Sequence, residues 1–260
     1  MIPNYLKPYH TKTSNLIRLG RKYDGGYVID KRVIGKTRAI ITCGLEAEWS
    51  FEKEFQKYNG DCKITAFDHT VNKKFWINRF LKDFVSLLLL RKIKLYQIFD
   101  VFKYVEYSSF FSGKNKHFLK KIVSQKKNKK NQITITEAIG DNKDIVLKID
   151  IEGDEYKVLK EIDKNLNKIN LVIIEFHDLQ KNIKKIEKFI KKTKLKNIHI
   201  NANNYGMVDV KGIPQVIEMT LINPKKFRIK NTKTKRNYPI KGLDFKNRKR
   251  GPDIKLTFSK

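Results

Sequence analysis

The 260-residue sequence predicts a doubly wound α/β fold, with a seven-stranded, mostly parallel sheet and an antiparallel last strand. Three observations predict it. Short apolar runs end in glycine, acid or histidine, as buried parallel strands do where they meet a ligand-facing loop. Segments of helical spacing separate those runs. The last two runs are joined by turn-forming residues with no room for a crossover helix. At 40% apolar and 11% aromatic, the chain can bury one α/β core with an insertion, and it is not disordered, collagenous, coiled-coil or disulfide-built.

The first strand is Arg38–Cys43, ended by Gly44, and a helix follows in which Ser50 is the expected cap and Glu52 and Glu54 occupy the first turn. Lys63–Phe67 is the second strand, ending at Asp68. From His69 to about Asn131 the pattern turns aromatic, basic and mostly helical, which reads as an insertion covering one edge. Its end, 114–130, carries eight lysines and no acid, as a solvated surface would. Three further strands are expected at Gln132–Thr136, Ile145–Asp150 and Leu171–His177. Helical spacing separates the latter two over Glu155–Leu166, and another helix presents Ile183, Ile186, Phe189 and Ile190. Asn197–Asn201 and Gln215–Ile222 close the sheet. We read one domain over 1–223, with the insertion at about 69–131, and a basic extension over 224–260 holding fourteen basic and two acidic residues. Near the start, Arg21–Val28 carries a glycine turn between short strands, which would suit a lid over a ligand but by itself is only a hairpin.

The chain has 57 Lys+Arg against 27 Asp+Glu, a formal charge of +30. Such charge attracts phosphates. Yet 47 of the basic residues are lysine and 10 arginine, whereas specific phosphate and base recognition favours arginine. Codon bias therefore explains the excess better than a nucleic-acid partner does. Cys43 and Cys62 lack metal-ligand spacing and are expected to be buried, reduced and without chemical role. The longest apolar run, Phe84–Leu90, is closed by Arg91-Lys92, and the first ten residues lack a secretory pattern. A cytoplasmic protein is expected.

Ligands of open α/β sheets sit beyond the carboxyl ends of the strands, so the residues ending each strand are the candidates. Gly44, with Leu45 and Glu46 after it, offers close backbone approach and amides near a helix start. Asp68, 24 residues after Gly44 and followed by His69, is placed to accept both hydroxyls of a ribose; a glycine turn and an Asx-turn are the structural alternatives. In Lys148-Ile-Asp-Ile-Glu-Gly-Asp154, strand alternation sends Asp150 and Glu152 to one side. They suit orienting a hydroxyl or taking its proton, while Glu152 or Asp154 equally suits capping the next helix. His177 is a candidate general base, with Glu175 orienting it. His199, Asn201 and Asn203 add donors and acceptors on the acceptor side. Asp150, Glu152 and His177 would hold a metal if they converged, but spacing assigns none and fixes no oligomeric state.

With DGGYVI, CGLEAEWSFE, AFDHT, LKIDIEGDEYKVL, VIIEFH and HINANNYG…IPQVIEMTLI in place, the sequence resembles the FkbM-type methyltransferase family from about Arg18 to about Asn223. The resemblance implies a Rossmann-like class I methyltransferase fold and S-adenosylmethionine-dependent O-methylation of a sugar or small-molecule hydroxyl. On matching positions, Gly44, Leu45 and Glu46 would meet the methionine part, Asp68 with His69 the ribose, and Asp150 and Glu152 the transferred methyl. His177 would face the acceptor. The loop has a single glycine, with Glu46 where a second would stand. An RNA methyltransferase or basic nucleic-acid binder is the alternative raised by charge. The position after Asp150 lacks the Pro-Pro-aromatic signature of amino-methylating enzymes. A non-catalytic protein with a degenerate cofactor loop is the third reading.

Overall fold

The structure, a computed structural model, describes residues 1–88, 103–126, 129–210 and 212–259. Strands β1 (Leu16–Leu19) and β2 (Tyr27–Asp30) form an antiparallel hairpin. After them run β3 (Ala39–Cys43), α1 (Ser50–Tyr58), β4 (Lys63–Phe67), α2 (Lys73–Leu88), α3 (Lys103–Phe110) and β5 (Lys116–Phe118). Short strands β6 (Lys121–Ile122) and β7 (Gln132–Ile133) pair with each other, and α4 (Ile135–Ile139) follows. The chain continues through β8 (Ile145–Ile149), α5 (Glu155–Lys164), β9 (Ile169–Phe176), α6 (Leu179–Thr193), β10 (Lys196–Ala202) and β11 (Ile217–Ile222).

The main sheet has seven strands in the order β10-β11-β9-β8-β3-β4-β5. β5, β4, β3, β8 and β9 pair in parallel, and β11 inserts antiparallel between β9 and β10. This is the predicted plan, a Rossmann-like, doubly wound sheet. Central strands β3, β8 and β9 are buried along their whole length, because helices or the hairpin cover both faces. Alternate residues feed two cores. Ile41, Leu147 and Ile174 pack with Val158 and Ile162 of α5 and Ile186 of α6, while Ile40, Val146 and Ile173 pack with Phe51 and Phe55 of α1 and Ile29 of the hairpin.

One strand is not where the sequence reading puts it. Gln132–Thr136 contributes two extended residues to a separate ribbon, and then Thr134 caps α4. Thr134 Oγ1 accepts from Glu137 N at 3.2 Å and Glu137 Oε2 accepts from Thr134 N at 3.0 Å, a capping box that overrides the β-branched run. The seventh sheet strand is instead β5, inside the lysine-rich segment, which serves as a short basic edge strand. Phe118 stacks there on Phe67, ring centroids 5.4 Å apart. The expected Ser50 cap also differs: Ser50 is the first helical residue, Glu48 Oε1 accepts its amide at 2.9 Å, and its hydroxyl accepts from Arg21 N. Part of the expected helical insertion, 89–102, lies outside the described residues.

Residues beyond Pro224 lie along the body of the protein. Isolated bridges join Tyr9 to Lys233, Tyr238 to Leu256 and Ile2 to Phe258, and Phe227, Tyr238 and Leu256 are buried. Cys43 and Cys62 are buried free thiols. Among the described residues no helix is long and apolar enough to cross a membrane.

Lys148 breaks the apolar pattern of β8. Its ammonium lies 3.1 Å from Glu52 Oε1, with both side chains almost fully buried, and Thr42 Oγ1 donates to the same oxygen at 2.6 Å. Removing one member leaves an uncompensated buried charge. Lys148→Met should destabilise the protein by about 3–5 kcal/mol in urea unfolding, and adding Glu52→Met should recover more than half of that. A double variant no better than the single would contradict the pairing.

Candidate functional site

The ends of β3, β4 and β8 are tied together at Gly44. Its amide donates to Phe67 O at 3.0 Å, and Asp150 N donates to Cys43 O at 2.8 Å. Gly44 has φ +85, and a Cβ built on it would stand 1.6 Å from the Asp150 carbonyl oxygen, so no side chain fits. Glu46 and Ala47 also take left-handed φ values of 46 and 56. The loop thus turns sharply with one glycine, although Glu46 stands where a second would ease it.

Asp68 holds this loop. Its Oδ2 accepts from Leu45 N at 2.8 Å and Glu46 N at 3.0 Å, and its Oδ1 accepts from Thr70 N at 2.7 Å and Thr70 Oγ1 at 2.6 Å. A carboxylate has about four acceptor positions, and all are used. Burial pushes the Asp68 carboxyl up, but the Thr70, Leu45 and Glu46 hydrogen bonds outweigh it and hold it below its ordinary value. Asp68 is therefore a brace in this structure, with no acceptor left over for ribose hydroxyls. The Leu45 and Glu46 amides are likewise spent on Asp68, and the Leu45 side chain is buried among Trp49, Ala66 and Trp76.

A cavity of about 260 Å³ opens beside the loop. Gly44, Glu46, Asp68, His69, Asp150 and Glu152 line it, together with Phe67, Ile122, Lys120 and Lys121. Asp150 Oδ1 is buried without a hydrogen-bond partner among the described residues. Burial pushes the Asp150 carboxyl up to about 7, against the pull of His177 and Lys148 and with the push of Glu152 and Glu155. Glu46 shares a hydrogen bond with Glu152, and that contact, with burial and Asp150, moves it up to about 8. Asp150 and Glu152 both reach the cavity, but not by strand alternation: β8 ends at Ile149, and Glu152 sits in a turn at φ 54 with its side chain 66% exposed. Neither Glu152 nor Asp154 caps α5 with its side chain.

Glu155 instead ties down the turn before α5, and sequence reading missed it. Fully buried in the first turn of α5, it accepts from Ile151 N at 3.2 Å and Gly153 N at 3.1 Å, and its Oε1 lies 3.1 Å from His177 Nδ1. His177 follows β9, with its carbonyl accepting from Tyr156 Oη. Its Nε2 is 3.5 Å from Glu152 Oε2 and 3.8 Å from Glu175 Oε1. Burial lowers the His177 imidazole, but the hydrogen bond and charge of Glu155, with Asp150 and Glu152, raise it above its ordinary value. The only signal in the sequence was an acid in the first helical turn.

Sheet register continues the acidic row. Glu175 faces Glu218 of β11, which faces Asn201 of β10. Asn203 Nδ2 donates to Glu175 Oε1 at 2.8 Å, while burial, Asp150 and Glu218 push the Glu175 carboxyl well up. Asn201 donates to Glu218 at 3.2 Å, which Asn247 also contacts. His199 is buried away from the cavity, Nε2 2.8 Å from Asp244 Oδ1 and its ring against Tyr238. Glu175 and Asn203 reach the Asp150–His177 cluster, whereas His199 and Asn201 are locked against the C-terminal segment. The hairpin packs behind the loop, Thr220 Oγ1 donating to Val28 O at 2.7 Å, and does not line the cavity.

Residues 48–203, more than half of the chain, match the family described as methyltransferase FkbM domain. No curated protein matches the chain. Among solved structures, it is similar to precorrin-6y C5,15-methyltransferase from Geobacter metallireducens GS-15, at 12% identity and TM-score 0.39 over 74% of this chain and 85% of that one. It is also similar to the fibrillarin pre-rRNA processing protein of Methanococcus jannaschii, at 8% identity and TM-score 0.34 over 73% and 67%. A third is TYW2 of M. jannaschii in complex with AdoMet, at 10% identity and TM-score 0.32 over 83% and 89%.

The depressed Asp68 carboxyl contributes stability that is present above its unfolded value and lost as pH falls through its lower folded value. Asp68→Asn should therefore cost about 2–4 kcal/mol at neutral pH. The gap from wild type should stay level between about pH 5 and 8 and narrow below about pH 4. Urea unfolding across that range measures it; a gap independent of pH down to about 3 would show that Asp68 is not ionised in the brace.

Proposed function

The chain belongs to the FkbM methyltransferase family, and on that premise we propose that it moves the methyl group of S-adenosylmethionine to a hydroxyl of a sugar or small-molecule acceptor. The observation that carries this reading is the Glu155–His177 pair, which presents Nε2 beside Asp150 at the ends of β8 and β9.

The lining fits the cofactor. Glu46, Asp150 and Glu152 offer carboxylates to a sulfonium and an ammonium, and Phe67 and Ile122 offer apolar surface to a flat base. When bound, S-adenosylmethionine supplies an electrophilic methyl. Asp68 serves binding through the loop it braces, and His69 borders the same cavity.

A neutral hydroxyl is a poor nucleophile, so its proton must leave as the new C–O bond forms. With Nδ1–H held by Glu155, the imidazole keeps a lone pair on Nε2, and that atom takes the proton. The imidazolium is stabilised by Glu155 and by the Asp150 carboxyl. Glu175, oriented by Asn203, borders the acceptor side. Positioning both reactants here supplies the remaining acceleration. Glu46, Asp68, Asp150, Glu152 and Asp154 outnumber Lys120 and Lys121 around the cavity, which favours a neutral or cationic acceptor over a polyanion, so the reading prefers a glycan or small molecule to RNA despite the +30 charge.

Calorimetric titration of S-adenosylhomocysteine at about 0.15 M salt, which suppresses nonspecific charge effects, should show saturable binding. His177→Gln should leave that affinity within about threefold while slowing methyl transfer roughly 100-fold, measured on an acceptor found by screening glycans. Folded wild-type protein that binds neither S-adenosylmethionine nor S-adenosylhomocysteine would refute the proposal.

A further inference from the structure

We propose that Asp150, Glu175 and His177 bind a divalent metal cation. One ligand atom from each lies within 4.8 Å of the other two. Ligands held about 2.0–2.2 Å from a shared ion stand at most about 4.4 Å apart, so small side-chain rotations would close the set. Glu175 Oε1 and His177 Nε2 are already 3.8 Å apart.

An acidic cluster alone identifies nothing; the state of Asp150 does. Its Oδ1 is shut off from water and lacks a hydrogen-bond partner among the described residues. A buried carboxylate oxygen left that way is costly unless a positive group meets it. The surrounding contacts hold the other two ligands in place. Glu155 Oε1 engages His177 Nδ1 at 3.1 Å, which leaves Nε2 facing Glu175, and Asn203 Nδ2 fixes Glu175 Oε1 at 2.8 Å. Metal-ligating histidines commonly use their second ring nitrogen in this way. One imidazole with two carboxylates suits a borderline-to-hard divalent ion such as Mn²⁺. Glu175 stands in this set where the sequence pointed to Glu152.

The inference goes beyond the methyl-transfer reading, and cation binding needs no cofactor. With a cation present, Nε2 is a ligand and not a proton acceptor. Glu152 then remains as a nearby carboxylate, its Oε2 3.5 Å from Nε2.

The test is titration of Mn²⁺ into chelator-stripped full-length protein, followed by calorimetry and pulsed electron paramagnetic resonance. One ion per chain is expected, with nitrogen coupling from one imidazole. Glu175→Gln should weaken binding roughly tenfold or more, and His177→Gln should remove the coupling. Glu187→Gln, on the outer face of α6, should change neither. Absence of stoichiometric binding, binding without nitrogen coupling, or binding that both site variants leave intact would overturn the proposal. If Glu175→Gln does not fold, the coupling in wild type against His177→Gln decides. Titrating S-adenosylhomocysteine into the same samples separates the two readings: cofactor binding without Mn²⁺ binding removes the cation site alone, and the reverse removes the methyl-transfer reading alone.

Discussion

The carbonyl oxygen of Asp150 occupies the space where a side chain on Gly44 would begin. That close approach lets the loop after β3 cross the end of β8, and it sets the distance between the loop and every group that follows β8. Asp68, at the end of β4, then holds the loop from the other side through two backbone amides. Three adjacent strands thus meet at one glycine. The cavity lies beside this junction, and Asp150 belongs to both.

The electrostatics run against the net charge. A chain with 30 more basic than acidic groups gathers Asp150, Glu152, Glu155, Glu175 and Glu218 around one end of its sheet. Burial is the main reason that Asp150, Glu175 and Glu218 are all pushed upward, and the neighbouring carboxylates add to it. His177, Lys148 and Arg18 supply partial compensation. A site built this way is costly to fold and well suited to a cation, whether a sulfonium, an imidazolium or a metal ion. Lys120 and Lys121 bring the basic surface to the rim of the acidic site.

Much of the architecture was legible because its signals are local. β3, β4, β8 and β9 are short apolar runs, and the stripe along α6 has a clear helical period. Gln132–Thr136 was misread because its β-branched residues outvoted the Thr134/Glu137 capping pair. β5 was hidden because a three-residue edge strand has no room for periodicity. Strand-end logic pointed to Gly44, Asp68, Asp150, Glu175 and His177, which the fold brings to one end of the sheet. It could not find Glu155, whose role depends on a turn bringing it under His177. It could not foresee that Asp68 spends its acceptors on the loop, or that His199 meets Asp244, 45 positions away along the chain. Long-range pairing leaves no mark on a single sequence.

The Gly44 junction shapes the cavity proposed for S-adenosylmethionine, and Gly44→Ala disrupts that junction. A methyl there must displace the Asp150 carbonyl, whose oxygen would stand 1.6 Å from it. Calorimetry with S-adenosylhomocysteine, alongside circular dichroism of the same sample, should show loss of binding with the secondary structure retained. A folded Gly44→Ala protein that binds S-adenosylhomocysteine as tightly as wild type would show that the junction does not shape the cofactor site.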